Sequence, residues 1–385
     1  MSFLTKGRAV AVIKEASFGA GGTFTNDDYI DYTSCDVTAE IAQIERNVVR
    51  QSMLDLEPLQ GQETSAGTIS LEISGDDATT GLNGDPLYEN GFGYRVGRTT
   101  ATTVSAATDA SNFTLTDATG LEVAQAIKVT SGGADQFVTI TAISGNDITV
   151  EPALSGTPSA TDPVVGLLSF LINQPSDAVA SLAVRENLSD AAGGDSVDYT
   201  YKGQVVTDVT LNFPVADIAT ADFSVAGAGF DSADPGSTVT VPCDLLTPVV
   251  GKNAVLTVLG TSYEAQDVSV AITSEITDVQ SITSDGLTNK LAVKRSASMT
   301  FRTEYVGNEN FATYKAGTKG SLHLQLRDGA VTSPVIVGVY APAAKFTSVT
   351  RSDDGGLTYD NIEAELLSNG CAANENAITL YFDQA

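Results

Sequence analysis

Apolar and polar residues alternate with a period of two along most of the chain, as in Thr68-Ile69-Ser70-Leu71-Glu72-Ile73 and Ser321-Leu322-His323-Leu324-Gln325-Leu326. Such runs set one face of a strand on a core and the other in water. Gly, Asn and Asp clusters that suit tight turns separate them, so the pattern predicts a mainly β chain of antiparallel strands. Helical signals are short. Asp85 to Gly91 carries Pro86, which fits a first helical turn, and Asn308 to Ala316 is followed by Gly317, which fits a stop.

The patterned blocks recur in the same order. Ala9, Val10, Ser17 and Phe18 stand 245 positions before Ala254, Val255, Ser262 and Tyr263. Thr38-Ala39-Glu40-Ile41 reappears as Thr273-Ser274-Glu275-Ile276 at an offset of 235, and Ser65-Ala66 as Ser296-Ala297 at 231. Thr207-Asp208-Val209-Thr210 matches Thr347-Ser348-Val349-Thr350 at only 140, and Ile218 to Phe223 loosely matches Leu357 to Ile362. Four blocks in one order predict a duplicated domain, with additional residues inserted in the first copy. The expected organisation is a first domain at 1–97 and 168–230, an inserted small β domain at 98–167, and a second domain at 231–385. The two short helices fall at corresponding places.

Within the insertion, strands are expected at Asn112 to Leu115, Ala126 to Thr130, Gln136 to Ile143 and Asp147 to Val150. Ser131-Gly132-Gly133 and Ser144-Gly145-Asn146-Asp147 are read as hairpin turns. Because the module interrupts the first copy, its ends are expected close together on that domain's surface.

A chain of 385 residues with 42% hydrophobic content can bury sizeable cores. The run Ala9 to Ile13 is too short for a secretory segment or a membrane span, so the chain is expected to be made in a cytoplasm. Cys35, Cys243 and Cys371 are odd in number and widely spaced, which suits reduced thiols. The net charge of −28 argues against gripping nucleic acid, since DNA affinity rests on Lys and Arg neutralising phosphates.

Catalytic signatures are missing from the sequence: there is no G-x-S-x-G, H-E-x-x-H, phosphate-binding loop or paired C-x-x-C. The single histidine, His323, alternates with leucines and is expected on the polar face of a strand as a structural residue. Asp231-Ser232-Ala233-Asp234 and Ser352-Asp353-Asp354-Gly355 lack the ligand spacing of an EF-hand loop and are read as solvated turns. No enzyme, cofactor or metal is expected.

The order of motifs resembles the tail tube (major tail) proteins of long-tailed bacteriophages. The residues that carry the resemblance are Thr5-Lys6-Gly7-Arg8 leading into a strand, the segment Asp36 to Arg50 with Ile44-Glu45-Arg46-Asn47-Val48-Val49-Arg50, and the strand Ser65 to Ser74. Tyr201-Lys202-Gly203-Gln204-Val205-Val206 and the stretch Phe301 to Gly329, ending in Arg327-Asp328-Gly329, extend it.

The resemblance implies β-sandwich, barrel-forming domains, each with a short flanking helix, whose inner sheets join into rings that stack as a hollow tube for DNA. Two such domains per chain imply three chains per pseudo-hexameric ring. It further implies contacts between stacked rings from the stretches Asn47 to Glu63 and Val279 to Arg295. In these stretches and immediately before the first, Arg46, Arg50, Asp55 and Glu57 are set to meet Asp285, Lys290, Lys294 and Arg295. The implied partners are further copies of the chain, tape measure, tail tip and tail terminator proteins, and genomic DNA sliding through without specific binding. The implied location is the virion tail, without membrane insertion. A capsid decoration protein, fibre or adhesin is the competing reading, since those also use acidic, Thr-rich, Trp-free β domains.

Overall fold

The computed structural model describes residues 3–46, 57–76, 81–172, 179–190, 196–233, 247–251, 254–281, 286–305, 307–328, 335–368 and 376–384. The first strands are β1 (Phe3–Lys14), β2 (Tyr29–Ile30), β3 (Ser34–Cys35), β4 (Thr38–Ile44) and β5 (Leu59–Glu72), followed by α1 (Asp85–Phe92) and β6 (Gly93–Val96). Then come β7 (Thr102–Ala107), β8 (Asn112–Leu115), β9 (Ala126–Ser131), β10 (Ala134–Ser144), β11 (Asp147–Glu151) and β12 (Pro163–Gly166). The chain continues through β13 (Leu168–Ile172), β14 (Leu182–Asp190), β15 (Ser196–Phe213), β16 (Thr220–Gly227) and β17 (Gly229–Ala233). Next are β18 (Val255–Val258), β19 (Thr261–Tyr263), β20 (Ala265–Ser281), β21 (Gly286–Glu304) and α2 (Glu309–Ala316). It closes with β22 (Lys319–Asp328), β23 (Val335–Asp354), β24 (Leu357–Leu367) and β25 (Thr379–Gln384). The chain is mainly β, with two short helices.

Both helices end on a glycine in the left-handed region, Gly93 at φ 101° and Gly317 at φ 64°, where a side chain would be strained.

Two strand sets run in the same order with the same partners. In the first, β1 pairs with β14, β4 with β5, β5 with β16, and β15 with β14, β16 and β17. In the second, β18 pairs with β22, β20 with β21, β21 with β24, and β23 with β22, β24 and β25. The long strands β15 and β23 each pass from one layer into the other. Each carries an irregularity at the same place, between Val206 and Asp208 in β15 and between Phe346 and Ser348 in β23. The residue skipped is a threonine in both. The Thr207 hydroxyl donates to the Ser224 carbonyl at 3.2 Å, and the Thr347 hydroxyl to the Glu363 carbonyl at 3.1 Å.

One sequence match is out of phase. Ser65 is buried while Ser296 is exposed, so an offset of 231 would exchange the two faces of the strand. Buried residues of β5 such as Ile69 and Leu71 correspond in phase to Met299 and Phe301 of β21.

The strand sets are fused through two seams. β15 pairs with β20 from Asp208↔Thr273 to Phe213↔Val268, and β25 inserts between β13 and β23. A continuous apolar core runs through both sets. At the junction Tyr88 of α1 packs edge-on to Phe223 at 4.9 Å between centroids and to Phe382 of β25 at 5.4 Å.

Strands β7 to β12 close a six-stranded barrel with its own core, including Val104, Phe113, Ile127 and Ile140. Two of its hairpins turn on Gly132-Gly133 and on Gly145-Asn146, as the sequence predicts. The barrel docks on the sheet through Ala126, Phe137 and Leu167 against Ile336 and Tyr381. Asp383, 1% exposed, accepts from Arg98 at 2.7 Å and from Lys128 of the barrel at 2.8 Å. Paired charges of this kind fix an orientation more than they stabilise.

His323 obeys the alternation but does not face open water. Its Nε2 lies 2.8 Å from the Tyr381 hydroxyl, its ring stacks on Tyr381, and Tyr340 crosses it edge-on. Burial pushes its pKa down to about 4. The folded chain therefore holds it neutral where the unfolded chain protonates it, and stability present above pH 6.5 is lost as pH falls towards 4. By pH 5 the expected loss is about 2 kcal/mol relative to pH 7. In urea titrations at the two pH values, His323→Gln, which keeps a hydrogen-bonding group but does not titrate, should lose that much less; an equal loss in both proteins would contradict this assignment.

Candidate functional site

Nothing in the structure gathers a reactive constellation. Among the described residues no group of three or more His, Cys, Asp or Glu is placed to hold a metal, and no helix is long and apolar enough to cross a membrane. Cys35 is a buried free thiol whose pKa burial raises. Cys243 and Cys371 lie outside the described residues. The surfaces with functional character are a polar sheet face, two open strand edges and two protruding hairpins.

The continuous layer runs β4-β5-β16-β15-β20-β21-β24-β23. One face carries Ile69, Leu71, Val209, Leu211, Val270, Met299 and Ile362 into the core. Alternation then fixes the opposite face. On it, Thr220 lies opposite Glu72, Asp222 opposite Ser70, Asp208 opposite Thr273, Thr300 opposite Glu363 and Ser298 opposite Glu365. Glu40 and Glu275 continue the same rows. Basic residues are sparse there: Lys294 stands opposite Glu275, Lys345 opposite Glu365 at the edge, and Arg302 is held by Asp354 at 2.8 Å with its guanidinium over the Tyr359 ring. The face is a field of hydroxyls and carboxylates.

The layer ends on two open edges. Among the described residues no strand pairs with the outer side of Thr33–Thr38, or with β23 beyond Lys345 on the side away from β24. Gly67 of β5 lets the first edge run close. A Cβ there would lie 2.4 Å from the Asp36 carbonyl oxygen and 2.5 Å from the Val37 Cα. Unpaired edges of this length recruit partner strands unless they are covered.

The hairpins β4–β5 and β20–β21 extend beyond the layer and expose apolar side chains. Ile44 and Leu59 face each other across the first, each 54% exposed, and Val279, Leu291 and Val293 stand out on the second. Charge does not single out these positions. Their signal was apolar residues inside otherwise polar hairpin segments.

The charged positions distribute as follows. Arg46 and Glu57 are exposed at the two sides of the first hairpin. Arg50, Asp55 and Asp285 lie outside the described residues. Lys290 pairs within its own hairpin with Asp278 at 2.8 Å, and Lys294 is exposed. Arg295 turns inward, donating to the Ser274 hydroxyl at 3.2 Å and to the Asn90 carbonyl of α1 at 3.2 Å, with burial lowering its pKa to about 10. That places Arg295 in the junction between the strand sets.

The family model for phage tail tube proteins matches residues 5–366. No curated protein matches the chain. The matched span takes in both strand sets apart from β25, the barrel between β6 and β13, the open edges and the acidic face, and the chain belongs to the phage tail tube protein family.

Proposed function

We propose that three copies of this chain close into a ring, that the rings stack into the hollow tail tube, and that DNA passes through the lumen on ejection. In this reading the two strand sets are duplicated tube domains, at 1–97 with 168–230 and at 231–385, and residues 98–167 are an inserted module carried on the outside. Each chain then supplies two of six pseudo-equivalent positions, and a head-to-tail contact repeated around the ring leaves no edge open.

The observation that carries the proposal is the β15–β20 seam, through which one strand set continues the sheet of the other while, among the described residues, Thr33–Thr38 and β23 beyond Lys345 stay unpaired on their outer sides. The acidic face of that layer is assigned to the lumen. DNA phosphates there meet like charge and few cations, so the polymer slides without being held.

Stacking is assigned to the hairpins, with Ile44, Leu59, Val279, Leu291 and Val293 buried between rings and Arg46, Arg50, Asp55, Glu57, Asp285, Lys290 and Lys294 around them. Arg295 is assigned instead to the contact between adjacent domains. The tube ends are expected to meet the tape measure, tail tip and terminator proteins, in the virion.

Native mass spectrometry of purified rings tests the stoichiometry. The reading predicts three times the 39.8 kDa chain. Rings of six chains would contradict the stoichiometry, and a chain that stays monomeric beside a tail-tip initiator would contradict the ring itself and favour a decoration or adhesin role.

A further inference from the structure

We propose that the seam already made inside the chain sets the register of the seam between chains, so that Ser348–Asp353 of one copy pairs antiparallel with Thr33–Thr38 of a second copy. The inference rests on the ring reading above. It adds which strands meet, residue by residue.

The internal seam places Asp208 opposite Thr273, Thr210 opposite Ala271 and Asn212 opposite Ser269. β15 and β23 superimpose at an offset of 140, because the ladder irregularity and the threonine hydrogen bond fall on Thr207 and Thr347. The edge strand and β20 superimpose at 235, because buried Cys35 and Val37 then coincide with buried Val270 and Ile272. Carrying the seam across gives Ser348 opposite Thr38, Thr350 opposite Asp36 and Ser352 opposite Ser34. The same mapping puts Val349 against Val37, where the internal seam has Val209 against Ile272. The Cys35 carbonyl already accepts from the Arg8 guanidinium, but a carbonyl has a second lone pair for a ladder hydrogen bond.

The helices supply a second, independent observation. Beside the occupied seam, α1 buries Leu87, Tyr88 and Phe92, and Arg295 of the β20–β21 hairpin reaches its Asn90 carbonyl. Beside the open edge, α2 buries no residue and exposes Phe311 and Tyr314, which line a cleft with Lys345, Phe346 and Thr347 of β23. By the same mapping, the β4–β5 hairpin of the second copy covers α2 as the β20–β21 hairpin covers α1. One copy therefore closes both the strand edge and the aromatic helix face.

Disulfide trapping in assembled full-length rings tests the register. Two matched double variants, Thr350→Cys with Asp36→Cys and Ser348→Cys with Thr38→Cys, are compared with the shifted pair Thr350→Cys with Thr38→Cys and with wild type. A two-residue slip moves one Cα by about 6.6 Å along a strand, out of disulfide reach. The expected result is covalent trimer on non-reducing gels from the matched pairs, and monomer from the shifted pair and wild type. Rings in which the matched pairs stay uncross-linked, or in which the shifted pair cross-links instead, overturn the register while leaving the ring reading intact. Where neither matched pair forms rings, Ser352→Cys with Ser34→Cys, which keeps Asp36 and Ser348, carries the test: covalent trimer is expected, and rings of this pair that stay uncross-linked overturn the register. Failure of wild type to form rings with an initiator would remove the ring reading itself, and the seam with it.

Discussion

Replacing Leu291 and Val293 together with aspartate should leave a folded chain that closes rings but no longer stacks them. Both side chains are about half exposed on β21, so the isolated chain loses little by the change. Stacking removes from water only the half of each side chain that is still exposed, worth about 0.8 to 1.5 kcal/mol each, so losing two weakens each hairpin contact between rings by roughly 10 to 10²-fold in association constant. Added carboxylates on an already acidic protein push in the same direction. Sedimentation should find short particles of ring size in place of tubes, with the far-UV spectrum unchanged. Ile44→Asp with Leu59→Asp, across the other hairpin, should behave alike. Tubes of normal length from either variant would show that the exposed apolar residues do not join rings.

Reversing charge on the acidic face should turn a slippery channel into one that holds DNA. Asp208, Asp222 and Glu363 stand on the same face with hydroxyls opposite them. Changing all three to lysine places nine new cations in each three-chain ring. Contacts with 6 to 10 phosphates carry a steep salt dependence, with affinity falling by roughly 10³ to 10⁵ between 50 and 200 mM salt. Variant tubes should therefore retain DNA fragments at low salt and release them as salt rises, whereas wild-type tubes retain none at either. Virions built with the variant should stall during ejection. Equal DNA retention by both tubes would show that this face does not line the channel.

Much of this architecture is legible locally. The start of α1 and the end of α2 follow from Pro86 and Gly317, because proline and glycine restrict or free the backbone within one turn. The barrel hairpins follow from their glycine turns for the same reason. What the sequence conceals is non-local. The entry of β25 between β13 and β23 joins segments far apart in the chain, and no nearby residue announces it. His323 reads as polar-faced because its leucine neighbours set the alternation, while the tyrosines covering it arrive from β23 and β25. The mismatch of Ser65 with Ser296 arises because strands of similar composition align almost as well one residue out of phase, although the slip reverses inside and outside.

The candidate site was half visible. Total charge argues against a grip on nucleic acid, and the ladders say which carboxylates share a face. Charge also drew attention to Arg295, whose guanidinium instead ties β21 to α1. A long side chain reaches inward or outward according to what lies beneath it, which composition does not record.

The measurement that bears most directly on the central claim is cryo-electron microscopy of tubes assembled from the wild-type chain, averaged without imposed symmetry and viewed in cross-section. The account predicts a threefold ring with six similar wall units around a central channel, three of them bearing an external barrel, and the acidic face of the β4-to-β23 layer turned inward. A true sixfold ring with one chain per wall unit, or a wall that turns that face outward, would contradict it.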